Sequence, residues 1–292
     1  MSIATIQDVA DYLHMSWHTI KQIDKEYLKK HFSKPPLQDV RYIGIDEFAV
    51  KKGHQYNTIV VDLQSGHVIY VGEGHKKESL SLFWKRLKSS GAQVKAVAID
   101  MWPAFIESVK ENLPNADIVF DHFHIIKNLN TTLDEVRKGL YREEKELNKK
   151  DVIKGTRWLL LRNSENLSSK QNDDLYEALK MNQPLAACYY LKEELRLLWS
   201  CTSVKQAEIF LDYWVKKAFK TQAFAMYKFA NSLLAHRSGI LSYFNHHITT
   251  AAVEGINNKI KVLKRKAYGY RDNEYFGLKI ISMNHIKYAF LR

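Results

Sequence analysis

The run Val40-Arg-Tyr-Ile-Gly-Ile-Asp46 combines apolar and β-branched residues with a closing carboxylate. Such a run predicts a buried strand. Similar runs occupy residues 56–62 and 67–71, and the turn signal Gln64-Ser-Gly66 lies between them. Because the links between these runs are short and turn-rich, we expect an antiparallel meander of three strands.

Two further strands are predicted, each separated from the preceding strand by a helix. The helices are expected at residues 79–88, ending at Gly91, and at residues 103–113, where Pro103 suits a first turn. The strands are expected at residues 94–100 and 116–120. The order β-β-β-α-β-α-β indicates a mixed α/β sheet.

The following part of the chain, about residues 125–245, contains long amphipathic stretches and no convincing strand. It predicts a helical insertion of roughly 120 residues. We therefore expect four segments: residues 1–34, 38–128 and 246–292, with the insertion at 129–245. The pair Pro35-Pro36 marks the first boundary, because two prolines cannot continue a helix.

Residues 3–32 predict two short helices, with Ser16 as the N-cap of the second. A short helix, a tight turn and a basic second helix are the parts of a helix-turn-helix. On this hypothesis Lys21 and Lys25 contact DNA, and the segment is a helix-turn-helix remnant because the preceding helices are absent. The alternative is an ordinary helical hairpin.

The composition is that of a globular protein, with 46% hydrophobic and 26% charged residues and a net charge of +12. Residues 254–292 hold nine Lys or Arg and three acids, a net charge of +6. Such a basic patch favours a polyanionic partner, above all nucleic acid, with an anionic membrane surface as the lesser alternative. With no long apolar run and only Cys188 and Cys201, we expect an intracellular protein without a membrane span or disulfide framework.

Three carboxylates are candidates for chemistry. Asp46 and Asp100 each end a predicted strand, and the carboxyl ends of strands are where catalytic groups collect in α/β sheets. Glu254 begins a basic helix after the insertion. Three hard oxygen ligands suit two Mg²⁺ ions, with Mn²⁺ as a substitute, for phosphodiester chemistry. The alternatives are that each Asp forms a turn and that the helix is an ordinary solvated one.

The chain resembles the ISL3 family of insertion-sequence DDE transposases in four motifs, which cover most of residues 40–290. They are Tyr42-Ile-Gly-Ile-Asp-Glu-Phe-Ala49 with Lys51-Lys-Gly-His54, Ala98-Ile-Asp-Met-Trp102, Phe120-Asp-His-Phe-His-Ile-Ile-Lys127, and Val253-Glu-Gly-Ile-Asn-Asn-Lys-Ile-Lys-Val-Leu-Lys-Arg265 with Ala267-Tyr-Gly-Tyr-Arg271. The resemblance implies an RNase H-like core interrupted by a helical insertion. It also implies that Asp46, Asp100 and Glu254 form the DDE triad.

The same resemblance implies partners and further site residues. It predicts double-stranded DNA at the terminal inverted repeats and at the target, a homodimer on DNA, and a bacterial, nucleoid-associated cytoplasmic protein that lacks the family's N-terminal zinc ribbon. Lys261 matches a position that related enzymes use for a terminal phosphate. The expected DNA-binding set is Lys259, Lys261, Lys264, Arg265, Lys266, Asn257, Asn258, His124, Lys21 and Lys25.

Several of these assignments have alternatives. Asn257 and Asn258 could hydrogen-bond phosphates, support the acids or simply meet solvent. Asp121 and His124 match an Asp-x-x-His element that could bind DNA or orient the site, and His124 could equally be a core histidine. For the whole chain we expect a Mg²⁺-dependent transposase, with a non-enzymatic DNA-binding regulator and an RNase H-like nuclease as alternatives.

Overall fold

A computed structural model describes residues 4–51 and 55–283. Its strands are β1 (Tyr42–Lys51), β2 (Gln55–Asp62), β3 (His67–Glu73), β4 (Ala96–Ile99) and β5 (Asp117–Phe120). The Lys-Gly-His of the first motif, residues 52–54, lies outside the described residues. The sheet order is β3-β2-β1-β4-β5, with β1 antiparallel to β2 and parallel to β4. This is the RNase H-like arrangement, so the predicted fold class is confirmed.

The helices alternate with these strands and then dominate the chain. In order they are α1 (Ile6–Leu13), α2 (Trp17–Phe32), α3 (Ser81–Ser90), α4 (Pro103–Asn112), α5 (His122–Glu143), α6 (Leu147–Gly155), α7 (Arg157–Leu161), α8 (Ser169–Met181), α9 (Gln183–Arg196), α10 (Val204–Phe219), α11 (Phe224–Ala235), α12 (Arg237–Leu241), α13 (Tyr243–His246), α14 (Ala251–Lys266) and α15 (Asn273–Ser282). Short 3₁₀ helices occupy Lys77–Leu80, Ser164–Asn166 and Leu197–Ser200.

The chain divides into two compact units. The first comprises residues 1–118 and 248–292, and holds the first four strands with helices α1–α4, α14 and α15. The second comprises residues 119–247 and is helical apart from the end of β5. Cys188 in this unit is a fully buried core residue. Its burial raises the pKa of the thiol to about 11.

Side-chain alternation along β1 decides which residues face the C-terminal helices. Phe48 and Val50 of β1 pack in one apolar cluster with Val253, Ile256 and Ile260 of α14. Phe276, Ile280 and Ile281 of α15 join the same cluster. Since Gly44 and Asp46 share the parity of Phe48, this face of β1 also carries the first acid of the predicted triad.

The first acid does not end its strand, and this corrects the prediction. Asp46 lies in the middle of β1, because antiparallel pairing with β2 continues as far as Lys51 opposite Gln55. The parallel pairing with β4 stops earlier, at Gly44 opposite Ala98. Asp46 therefore lies where β1 loses one of its two partner strands.

Within the described residues, no helix combines the length and apolar character needed to cross a bilayer.

Candidate functional site

Helix α14 approaches β1 closely at Gly44. A Cβ atom added to Gly44 would lie 2.5 Å from Cγ2 of Val253 and 2.9 Å from Cδ2 of Leu63. Val253 is completely buried. The missing side chain at Gly44 thus makes room for the first turn of α14, two residues before Asp46.

The carboxylate of Asp46 is held by two donors. Its Oδ1 accepts a hydrogen bond of 2.8 Å from the backbone N–H of Glu47. Its Oδ2 accepts one of 2.7 Å from Nδ2 of Asn257 on α14. Hydrogen bonds to an ionised group are stronger than neutral ones, so these contacts fix the carboxylate's orientation. The side chain remains partly exposed and can meet a ligand.

Asp100 follows β4 directly. Continuing the parallel register by two residues from Gly44 opposite Ala98 brings Asp46 opposite Asp100. Neighbouring strands are about 4.8 Å apart, and residues two apart share a face, so both carboxylates belong to the same edge and face of the sheet. Oδ1 of Asp100 accepts a hydrogen bond of 2.6 Å from the Trp102 backbone N–H, in the turn that leads into α4.

Glu254 lies in the first turn of α14, where a carboxylate complements the helix dipole. It is exposed, and it precedes Asn257 by three residues, or about 4.5 Å along the helix axis. The structure therefore places Glu254 roughly one turn from the helix residue that holds Asp46. The inward face of α14 carries Ile256 and Ile260, which are 3% and 1% exposed.

The two neighbouring asparagines of α14 occupy different environments. Asn257 is buried at 7% exposure, with Nδ2 on Asp46 and its Oδ1 without a hydrogen-bond partner. Asn258 is exposed and accepts a hydrogen bond of 3.2 Å from Nζ of Lys261. Of the roles predicted for these residues, the structure places Asn257 beside the acid and leaves Asn258 at the surface with the lysine.

The donor set suits a hard cation in its chemistry. Asp46, Asp100 and Glu254 offer carboxylate oxygens, which Mg²⁺ and Mn²⁺ prefer over soft ligands. Within residues 4–51 and 55–283, however, no three His, Cys, Asp or Glu side chains stand close enough together to hold one ion. Among the described residues, the acids therefore form no ready-made cage for a cation.

The remaining basic residues of α14 lie beyond the acid. Arg265 and Lys266 are exposed in its last turn, where positive charge complements the helix dipole. Lys261 and Lys259 are also exposed, whereas Lys264 is partly buried, with Nζ 3.5 Å from the carbonyl oxygen of Ala49. A positive strip thus follows Glu254 along the helix, as predicted, and its role in DNA binding stays a prediction.

The predicted N-terminal helices are present, with Ser16 capping α2. Their lysines, however, are engaged within the protein. Nζ of Lys21 and Nζ of Lys25 each lie 3.0 Å from Oδ2 of Asp272, and Lys25 also lies 2.8 Å from Oε2 of Glu274. Both acids are at the start of α15. Phosphate contacts by Lys21 and Lys25 would compete with these ion pairs, which the sequence pattern did not indicate.

Asp121 and His124 belong to the second unit, at the start of α5. Asp121 is buried and caps this helix, accepting a hydrogen bond of 3.1 Å from the Phe123 backbone N–H. His124 is half-buried, and its ring makes an edge contact with Phe123. The Asp of the Asp-x-x-His element thus caps α5, and the predicted role of the element in binding DNA or orienting the site stays a prediction.

Comparison with known proteins gives a consistent result. A sequence model described as a transposase, of the ISL3-type DDE family, matches residues 43–280. The transposase of insertion sequence IS1001 from Bordetella parapertussis is 40% identical over 95% of this chain and 69% of its own length. The transposase of IS1557 from Mycobacterium tuberculosis is 27% identical over 90% of this chain and 64% of its own length.

Among solved structures, the Drosophila P element transposase strand transfer complex aligns with a TM-score of 0.45 and 10% sequence identity, over 91% of this chain and 82% of that one. The order of the strands is that of the RNase H-like class, and α14, which carries Glu254, packs against β1, the strand of Asp46. The match over residues 43–280 and the 40% identity to a transposase show more: the chain belongs to the ISL3 family of transposases.

Proposed function

We propose that this chain catalyses DNA strand cleavage and strand transfer at the ends of an insertion sequence, with Asp46, Asp100 and Glu254 as its catalytic acids. The observation that carries the proposal is the hydrogen bond from Asn257 to Asp46, because it seats α14 at the strand edge shared with Asp100. That contact supports the proposal by joining the helix that carries Glu254 to the strand that carries Asp46.

The acids would hold two Mg²⁺ ions, or Mn²⁺ in their place. Such ions, when bound, activate the attacking hydroxyl and stabilise charge on the departing oxygen. Asp46 enters the site already oriented by Asn257 and Glu47. Asp100 would come from the neighbouring strand end, and the exposed Glu254 could turn toward both once bound cations offset the repulsion among the carboxylates.

DNA is the partner that the charge favours. Beyond Glu254, the exposed Lys261, Arg265 and Lys266 would follow the phosphate backbone, with Lys261 nearest the acid. The terminal inverted repeats and the target duplex would pass through this site, and two copies of the chain would bring the two ends together. The proposed location is the bacterial cytoplasm, at the nucleoid.

The deciding experiment compares the wild-type chain with Asp100→Asn on DNA that carries the element's own end. Nicking should appear as Mg²⁺ is added to the wild type and should vanish in the variant, while the dissociation constant for the same DNA stays unchanged. Retained nicking would rule out this triad. Binding without nicking in the wild type would favour the DNA-binding regulator, and preference for branched DNA or RNA hybrids would favour the nuclease.

A second measurement locates the ions independently of turnover. Fe²⁺ substituted into the site generates hydroxyl radicals that cut nearby polypeptide. We expect the cuts to cluster around residues 46, 100 and 254. Cuts confined to other regions would place the cations elsewhere and contradict the assignment of these three acids.

A further inference from the structure

The helical unit exposes four aromatic rings where α10 connects to α11. Tyr213 and Phe219 of α10 are 57% and 37% exposed, and Phe224 and Tyr227 of α11 are 70% and 50% exposed. The rings of Phe219 and Tyr227 lie 5.0 Å apart and join the two helices. We call these four rings, with Lys216, Lys217, Lys220 and Lys228, the α10–α11 surface.

The core of this region does not need those rings. The inward sides of the same helices are filled by fully buried residues, including Leu211, Trp214 and Met226. Trp214 packs against Phe229 and donates from Nε1 to the carbonyl oxygen of Leu191 at 2.8 Å. Single exposed apolar residues are common, whereas contiguous exposed patches mark interaction sites. The contact between Phe219 and Tyr227 makes two of these rings contiguous, while Tyr213 lies six residues before the end of α10.

The charge of this surface is wholly positive. Residues 213–228 contain four lysines and no Asp or Glu. Nζ of Lys217 lies 4.4 Å from the centroid of Tyr213, and Nζ of Lys228 lies 4.5 Å from that of Phe224. Lys217 also pairs with Glu194 at 2.7 Å. In the part of the chain that the structure describes, Lys216, Lys220 and Lys228 form no ion pair.

Two acids precede this surface on α10, and one arginine offsets one of their two negative charges. Arg237 pairs with both Glu208 and Asp212, and its Nη2 lies 2.8 Å from Oε1 of Glu208. The hydrogen bond from Arg237 also holds the pKa of the Asp212 carboxyl below its usual range. The positive potential of the four lysines is therefore not cancelled by the nearest carboxylates on their own helix.

We propose that the α10–α11 surface binds single-stranded DNA, with bases stacked on the exposed rings and phosphates held by the lysines. Aromatic faces beside cations suit unpaired bases, whereas the bases of a duplex present only their edges in the grooves. A protein partner would need acidic side chains opposite the lysines, whereas a DNA strand carries a negative phosphate at every nucleotide. The inference rests on the proposed function, since strand cleavage and transfer supply unpaired nucleotides.

The test measures binding of the full chain to a fluorescein-labelled single-stranded oligonucleotide by anisotropy, with a chelator present. The double variant Tyr213→Ala/Phe224→Ala should raise the dissociation constant at least about tenfold, from the loss of two stacking platforms. Tyr176→Ala is the matched control, because Tyr176 is 61% exposed on α8 of the same unit, outside this surface. Its affinity should equal that of the wild type.

A crosslinking experiment locates the contact. The oligonucleotide is labelled with 5-iodouracil, which reacts with stacked aromatic rings on irradiation, and the protein is digested with trypsin. Residues 221–228, between Lys220 and Lys228, form one tryptic peptide that contains Phe224 and Tyr227. This peptide should carry the crosslink. Phe224→Trp retains a ring and should bind as the wild type does, which controls for misfolding in the alanine variants.

Three outcomes would overturn the proposal: an unchanged dissociation constant in the double variant, crosslinks only outside residues 213–228, or a self-associated chain that the double variant converts to monomer without loss of DNA affinity. The last would make the surface an interface between protein copies. Because binding is measured with a chelator present, its outcome does not depend on metal-supported cleavage by Asp46, Asp100 and Glu254. Failure of the proposed catalytic triad is thereby distinguished from failure of this surface.

Discussion

At the scale of single residues, Asn257 makes a hydrogen bond that links two sequence-distant parts of the candidate site, α14 and β1. It is 211 positions from its partner Asp46, and burial removes it from solvent while its Oδ1 stays unpaired. Groups that hold a metal-ligating side chain commonly affect metal affinity or activity about 10- to 100-fold when removed. Asn257 is therefore expected to act as a positioning residue, through Asp46.

We expect Asn257→Ala to lower the rate of DNA nicking at least about tenfold and to raise the Mg²⁺ concentration needed for half-maximal rate. The physical reason is that Oδ2 of Asp46 loses its donor and the carboxylate its fixed orientation. Asn258→Ala is the matched control, one position away and exposed. Equal Mg²⁺ requirements in the two variants would contradict a positioning role, and unchanged duplex affinity in both would show that the helix is intact.

The sequence analysis misplaced one of the three candidate acids, and the grouping of Asp46, Asp100 and Glu254 in one site stays a prediction. The apolar run before Asp46 predicts a strand, yet nothing in it shows that Glu47 to Lys51 continue the pairing with β2. The role of Gly44 was also missed, because a glycine inside a strand does not reveal which side chain fills its space. Only the packing of Val253 on it shows this.

At the scale of elements, the contact between α2 and α15 departs most from the sequence-based expectation. Helical periodicity correctly predicts α2 and its capping Ser16, but it reports nothing about acids some 250 positions away. Asp272 caps α15 and accepts from Lys21 and Lys25. Burial raises the pKa of its carboxyl, but the Tyr275 N–H and the two lysines outweigh this and hold it well below its usual range.

We expect Asp272→Ala to lower the free energy of unfolding by about 1–2 kcal/mol at pH 7, from loss of the cap and the ion pairs. Because the folded-state pKa is depressed, this stabilisation is present above the ordinary value of 3.8 and is lost as the pH falls further. Urea unfolding at pH 7 and at acidic pH should show the difference narrowing below about pH 4.

The control for this contact is Glu274→Ala, whose side chain is half exposed and which does not cap the helix. Its effect should be the smaller of the two. A difference between Asp272→Ala and wild type that stays constant down to the lowest measurable pH would show that the carboxyl's charge contributes nothing, and that only the loss of packing matters.

At the scale of the whole molecule, the net charge of +12 favours electrostatic attraction to DNA. The insertion was expected at residues 129–245, and the structure separates a unit of residues 119–247. The sequence pattern alone indicates the helical character of this unit, because its stretches are amphipathic and contain no strand pattern. Its surface chemistry could not be predicted in the same way, because the exposure of Tyr213 or Phe224 depends on how α10 and α11 pack.

Duplex binding should weaken steeply with salt, because each phosphate contact releases counterions. We expect Arg265→Gln/Lys266→Gln to reduce the slope of log affinity against log salt by about two, one for each lost phosphate contact. Lys170→Gln/Lys180→Gln removes two exposed charges from α8 and should leave the slope unchanged. Equal slopes in both double variants would show that the end of α14 does not contact the backbone.

The packing of Val253 on Gly44 has a consequence for synthesis of the protein. Asp46 and Asp100 are synthesised early. The helix α14, whose Val253 packs on Gly44 of β1, is synthesised only after the whole unit of residues 119–247. At about 5–20 residues per second, the nascent chain carries its first two acids for roughly 10–30 seconds before Glu254 can join them. During that interval the growing chain lacks the third acid of the proposed triad, so on the proposed function we expect that nascent chains do not nick the gene that encodes them.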